Sequence, residues 1–363
     1  MFFDPEFIAS AERAGYEIIE QLRDPARAEA LRSFIPERWR APGQGEAPTF
    51  AVLDFAAARE GDRIVPRLIE LQGFPSLLAF SAMQTDAWNA ALAGIDGLPQ
   101  SWSSRHGLTR EAARELGRRT IVDNADPRMV ALVDLDPPHQ KTLCDFVATK
   151  RLFDVDAVDI RALRRRGNKL YRPDASGAEV PVERIFYRMV IDEVERTGCA
   201  LPFDLREDLD VAWTPHPNWF WLWSKASLPY LDHPAVPKTR LLSALTRTPR
   251  DLDGYVLKPL FSFAGGGVNV APRASDLDAI PPADYGAWCI QEKVEYGGVI
   301  PATDGGDVKL EVRLMYLRPD NERVFTLAQN LCRLSRGSMI GVDYNRDRTW
   351  VGSSVGISPD EPR

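Results

Sequence analysis

The sequence predicts a mixed protein, part α+β and part α/β, with an antiparallel core and a small parallel unit beside it. Three observations predict this. Residues 49–72 read as two strands around a polar turn, and residues 128–197 alternate strand, helix and strand. Residues 253–334 then hold a second run of strands with little helical period. A chain of 363 residues, 44% hydrophobic and 27% charged, is long enough for two or three sub-domains around substantial cores.

In order, FIASAERAGYEIIEQLRDPARAEALRSFI has apolar positions at three- and four-residue spacing and reads as helix interrupted at Pro25. After a loop at 39–48, TFAVLDFAA and RIVPRLIELQ are strands joined by REGDR, and helical patterns follow over 76–95 and 109–118. RMVALVDLD opens the parallel unit. It continues through the helix-like HQKTLCDFVATKRLF, DVDAVDI, KLYRP and VERIFYRMVIDEVERTG. The basic run RALRRRGNK within it reads as a solvated helix end. Residues 200–250 are rich in Pro, Trp and His, and HPNWFWLWSK reads as core packing. They lead into the strand–loop–strand of 253–272 and then AWCIQEKVEY, VKLEVRLMYL and VFTLAQNLCRL. These boundaries give three segments: 1–125, 126–200 and 201–363.

Net charge of −7 and a pI near 5.4 offer nucleic acid no attractive surface. No apolar stretch reaches the ~18–20 residues of a membrane span. The acidic start MFFDPEF is unlike a signal peptide, so the expected home is the cytoplasm. Cys144, Cys199, Cys289 and Cys332 form no CxxC pair and lie far from any histidine, which points to reduced, mostly buried thiols. His106, His139, His216 and His233 show no metal or triad spacing and read as structural.

Four stretches carry chemistry. In YVLKPLFSFAGGGVNV a strand delivers Lys258, and Ala264, Gly265, Gly266 and Gly267 follow. Glycine amides unobstructed by side chains form an anion nest that suits phosphate oxygens, and the lysine adds a point charge. A Gly-rich hairpin with an exposed lysine accounts for the pattern equally well. The sequence fits neither GxxxxGK[ST] nor GxGxxG, so a P-loop or dinucleotide site is not expected. In WCIQEKVEY, Gln291, Glu292 and Val294 lie where a strand end forms a hinge for an adenine edge or, on the plainer reading, an amphipathic edge strand. Lys309, Glu311 and Arg313 share one face of a strand. Three charges there require either solvent or a polar cleft. In RLIELQGFPS, Glu70 and Gln72 also share a face, one pleat apart.

Strand-lysine, Gly-rich hairpin, hinge and charged strand, in that order, resemble the ATP-grasp nucleotide site. Several islands look more specifically like glutathionylspermidine synthase and related circularly permuted ATP-grasp proteins. KPLFSFAGGGVNV resembles that family's KPxxxREGxNI, WSKASLPYLDH its second lysine stretch, and CIQEKVEY its WQEYK hinge. The resemblance implies a permuted ATP-grasp fold with a small pre-ATP-grasp-like parallel α/β unit. It implies ATP held by Lys225, Lys258, Ala264, Gly265, Gly266, Gly267, Gln291, Glu292 and Val294. It also implies Mg²⁺ ligands early in the chain: Asp54 in TFAVLDF, with Glu70 and Gln72 in IELQ.

Three departures stand out. The family's ExN has become ExQ, its arginine before the aspartate is Val52, and the arginine of its REG is Phe263. An unpermuted reading would place the metal instead on Glu311, Asp343 and Asn345.

The activity the resemblance implies is ATP- and Mg²⁺-dependent joining of a small-molecule carboxylate and amine through an acylphosphate. Arg313 and Lys258 then serve the transferring phosphoryl group. The rival reading is a nucleotide-binding ATP-grasp module without catalysis, acting as a partner or regulatory protein.

Overall fold

A computed structural model describes residues 3–105, 107–249, 251–262, 265–341, 344–345 and 347–359. Phe263, Ala264, Asp343 and His106, singled out above, lie outside the described residues.

The chain opens with helices α1 (Pro5–Leu22) and α2 (Pro25–Arg32). Each starts on an aspartate cap followed by proline. Asp4 accepts from the Phe7 N–H, and Asp24 from the Ala26 and Arg27 N–H groups. The apolar stripe Phe7, Ala11, Ala14, Ile18 and Leu22 of α1 is buried against the main sheet. Gly15 sits in that stripe because a Cβ there would lie 2.0 Å from the Tyr316 hydroxyl.

Strands β1 (Phe50–Glu60) and β2 (Arg63–Gln72) form the expected hairpin, turning at Gly61 with φ +59°. Helices α3 (Leu78–Leu92) and α4 (Arg110–Ile121) follow. The parallel unit comprises β3 (Val130–Asp134), α5 (Leu143–Phe153), β4 (Asp156–Asp159), β5 (Arg184–Tyr187), α6 (Ile191–Thr197) and β6 (Ala212–Thr214). Its sheet order is β6-β5-β3-β4 with every pair parallel. VALVD is buried throughout, as a strand covered on both faces must be.

Two expectations fail in this unit. KLYRP joins no parallel sheet, and RALRRRGNK is not a helix end. Residues 164–166, 169–173 and 179–182 build a separate antiparallel arm, turning at Gly167 with φ +64°. Successive exposed arginines have no helical apolar stripe to bury. They pair outward instead, Arg165 with Glu207 and Arg166 with Glu179.

The last segment begins at the short helix α7 (Trp219–Leu222), whose Trp219, Phe220, Trp221 and Leu222 are buried, as expected of HPNWFWLWSK. A small antiparallel sheet of order β7-β9-β8 follows, from β7 (Thr239–Leu241), β8 (Tyr255–Pro259) and β9 (Trp288–Glu292). The strand expected to return from the glycines is reduced to one bridge, Leu257 with Asn269. The chain then gives β10 (Gly298–Pro301), β11 (Asp307–Leu317), β12 (Thr326–Ser335) and β13 (Gly352–Ser354).

The six-stranded sheet runs β13-β12-β11-β1-β2, with β10 also on β11. Strands from opposite ends of the chain are therefore neighbours, and segments 1–125 and 201–363 share this sheet. One face, with Leu53, Phe55, Val312, Leu314 and Tyr316, packs in the core that includes the α1 stripe. The other begins apolar, with Phe50, Val52, Met315, Leu317 and Leu331 in a second core with residues of α3, α4 and the parallel sheet.

Candidate functional site

The functional face is where that second core stops. One pleat beyond Val52 comes Asp54, beyond Met315 comes Arg313, and beyond Leu331 comes Arg333. Period-two alternation thus turns β1 and β11 from apolar to charged at the same level, and β12 one pleat further along. Cross-strand register makes the contacts. Asp54 lies opposite Arg313 on one side and Glu70 on the other, while Glu311 lies opposite Arg333. Arg313 donates from Nε and Nη2 to the two Asp54 oxygens, both at 2.7 Å, and Arg333 Nη2 donates to Oδ2 at 2.6 Å. Arg333 also donates to Glu311 Oε1, whose other oxygen accepts from the Tyr296 hydroxyl at 2.9 Å. The Asp54 and Arg313 side chains are 2% and 6% exposed, so this is a desolvated, bidentate ion pair. Arg333 is 28% exposed, and its Nε has no partner among the described residues.

The second wall comes from the 225–262 region. A bulge at the Asp54–Phe55 step leaves Ile69 of β2 out of register, and its carbonyl accepts from Lys258 Nζ at 3.1 Å. Lys225 donates to Glu70 Oε1 at 3.0 Å and to the Ser262 carbonyl. Gln291 accepts from Lys258 Nζ at 2.5 Å and donates to Thr239 Oγ1 at 3.1 Å, so its buried amide aims the lysine. Beyond β9, the Glu292 N–H goes to Lys238 and the Lys293 N–H to Gly254. The Val294 N–H has no backbone partner among the described residues. Gly265 and Gly267 adopt φ of +76° and +68°, the left-handed conformation a nest of amides needs.

Burial raises the Asp54 carboxyl, but Arg313 and Arg333 outweigh it and hold it below its ordinary value. Glu311 goes the other way. Burial, with Asp54 adding to it, lifts its carboxyl above the usual range against Arg333. Burial also lowers the Lys258 ammonium. Around this face Lys225, Lys258, Lys309, Arg313 and Arg333 stand with the carboxylates Asp54, Glu70 and Glu311 and, at the end of β9, Glu292.

The structure thus brings together Asp54, Glu70, Lys225, Lys258, Gln291, Arg313 and Glu311. Gln72 joins the same face opposite Val52, and its side chain makes no hydrogen bond among the described residues. Beside Tyr344, whose hydroxyl donates to the Gly265 carbonyl at 2.7 Å, Asn345 borders this face through Ser335, two residues past Arg333 on β12. It accepts from Ser335 Oγ and donates to the Met339 and Gly341 carbonyls, tying down its own loop. Sequence reasoning missed Arg333 and Tyr296. Arg333 was within reach, since it follows Leu331 on the same face of β12. Tyr296 was not, because only the fold carries it to Glu311.

The expected Mg²⁺ trio has oxygen donors of suitable chemistry, yet it does not fit an ion as arranged. Both Asp54 oxygens accept from guanidinium groups, one Glu70 oxygen accepts from Lys225, and no group of three or more His, Cys, Asp or Glu side chains able to hold an ion occurs among the described residues. A cavity of about 570 Å³ lies away from this face, near Thr49, Trp213 and Arg318. Its Arg318 is spent on the Ala47 and Pro48 carbonyls. No helix among the described residues is long and apolar enough to cross a membrane.

The mixed fold sets an antiparallel six-stranded sheet beside a small three-stranded one, joined by the contacts of Lys225 and Lys258. Among solved structures the chain is similar to a glutathione synthetase-like effector from Globodera pallida in its apo form. The TM-score is 0.57 at 13% identity, over 98% of this chain and 87% of that one. At that identity the likeness is one of fold. No protein-family model matches the chain, and no curated protein does.

Proposed function

We propose that the chain binds ATP between the three-stranded sheet and the charged half of the six-stranded sheet, and uses it to join a carboxylate to an amine. One observation carries this reading. Lys225 and Lys258, from different elements of one wall, converge on neighbouring residues of β2, beside a glycine turn and opposite two arginines. In this reading the lysines and the Gly265–Gly267 amides hold the phosphates, and Gln291 fixes Lys258. Val294 N–H and Glu292 meet the nucleoside.

The substrate carboxylate oxygen attacks the γ-phosphorus and the bond to the ADP oxygen breaks, giving an acylphosphate. The amine nitrogen then attacks the acyl carbon. Phosphate leaves with the C–O bonding pair, and the amine proton passes to solvent. Arg313 spends two donors on Asp54, so the more exposed Arg333 is the guanidinium left to neutralise the transferring group. The glutathionylspermidine synthase-like islands support the choice of a C–N ligase over other ATP chemistry.

The test is ATP-dependent phosphate release by purified protein with pools of amino acids and polyamines. Release stimulated by an acid–amine pair is expected and should disappear in Lys258→Ala. ATP binding with no turnover under any pool would assign the chain instead as a non-catalytic nucleotide-binding module. Unchanged ATP affinity in Lys258→Ala would refute the nucleotide site itself.

A further inference from the structure

We infer that this face receives polyphosphate without a divalent cation, because Arg313 and Arg333 hold Asp54 and Glu311 while Lys225 holds one oxygen of Glu70. The inference rests on the nucleotide reading above and departs from the metal dependence expected of it.

Three features support it. Of the carboxylate oxygens on the face, both of Asp54, both of Glu311 and one of Glu70 accept a hydrogen bond from another side chain. Four of those five accept from a charged group. Mg²⁺ requires near-octahedral oxygen contacts at about 2.0–2.1 Å. On Asp54 it would have to share oxygens with guanidinium nitrogens 2.6–2.7 Å away, setting like charges side by side. Displacing Arg313 offers no escape, because its side chain is 6% exposed and would be left buried without its counter-ion. Finally, Lys225, Lys258 and Arg333 already stand beside this face as cations for a polyphosphate.

The arginines therefore take over the charge-neutralising part a metal plays at a phosphate site, and Asp54 and Glu311 serve as positioning residues that set their directions. Lysine in place of Arg313 would not do this, because a single ammonium cannot span both oxygens of one carboxylate.

The experiment is calorimetric titration of the full chain with ATP, once in EDTA and once in excess Mg²⁺. Binding in EDTA at least as tight as with Mg²⁺ is expected. ATP affinity weaker by about tenfold or more in EDTA would overturn the inference while leaving the nucleotide reading standing. No binding in either buffer overturns the nucleotide reading and this inference with it.

Mn²⁺ alone, followed by the loss of the free-ion paramagnetic signal, gives an independent readout. The wild type should leave Mn²⁺ free, and stoichiometric uptake by it would overturn the inference. The double variant Arg313→Ala with Arg333→Ala, checked for folding by circular dichroism, should gain an Mn²⁺ site once both guanidinium groups leave Asp54. A folded variant that takes up no Mn²⁺ counts against the clamp as the reason.

Discussion

Replacing Arg313 with Met tests the central ion pair. The substitution keeps an unbranched chain of similar reach and removes two charge-assisted hydrogen bonds of 2.7 Å from a carboxylate 2% exposed. Each such bond is worth roughly 1.5–3 kcal/mol, and removing one partner of a buried pair costs about 3–5 kcal/mol. Arg333 keeps its own bond to Asp54 Oδ2, so the lower end applies and a loss of about 3 kcal/mol is expected. Urea unfolding followed by tryptophan fluorescence measures it, with midpoint and slope taken from the same curve. Asp54→Leu with Arg313→Met should recover most of the loss, giving a coupling of roughly 2 kcal/mol, because no buried charge is then left alone. A single-variant loss below about 1 kcal/mol, or a double variant no better than the single, would refute the claim that the pair is desolvated and mutually dependent.

Other outcomes follow from the same geometry. Lys258→Met should weaken ATP binding by about tenfold or more, the value of one charge-assisted contact, and a titration showing less than a twofold change would contradict it. Gly265→Ala puts a side chain on a φ of +76° with its Cβ 2.8 Å from Met339 Cε. It should cost roughly 1–2 kcal/mol in the unfolding curve and weaken ATP further by distorting the turn. Asp134 is a separate case. Burial pushes its carboxyl up to about 7, against Arg188. A folded value above the unfolded one means stability present below about pH 4 and lost as pH rises through 7, at up to about 1.4 kcal/mol per unit. Asp134→Asn should flatten that fall, and parallel stability–pH curves for variant and wild type would sink the assignment.

Several parts of the structure were legible in the sequence because they rest on local chemistry. Aspartate–proline starts, the stripe of α1, the turn at Gly61 and the alternation of β1 and β2 are set by neighbours a few residues apart. The glycines after Lys258 similarly announced the turn in which Gly265 and Gly267 take positive φ. The antiparallel arm at 164–182 was not legible, since exposed arginines in a strand and in a helix end look alike until a partner strand arrives. Gln291 was legible as a strand-end residue but its contact was not, because that depends on β8 bringing Lys258 alongside β9.

By itself, then, the sequence determined the strands, the faces on which Asp54, Glu70, Gln72, Lys309, Glu311 and Arg313 lie, and the identity of both lysines. Only the tertiary structure decided what those charges do. The register of β1 on β11, between residues 259 apart in the chain, sets Arg313 against Asp54. The register of β12 adds Arg333. A carboxylate beside water and a lysine can bind a metal, whereas the same carboxylate buried between two guanidinium groups is already neutralised. That difference arises from burial and from cross-strand pairing, which no local stretch of sequence contains.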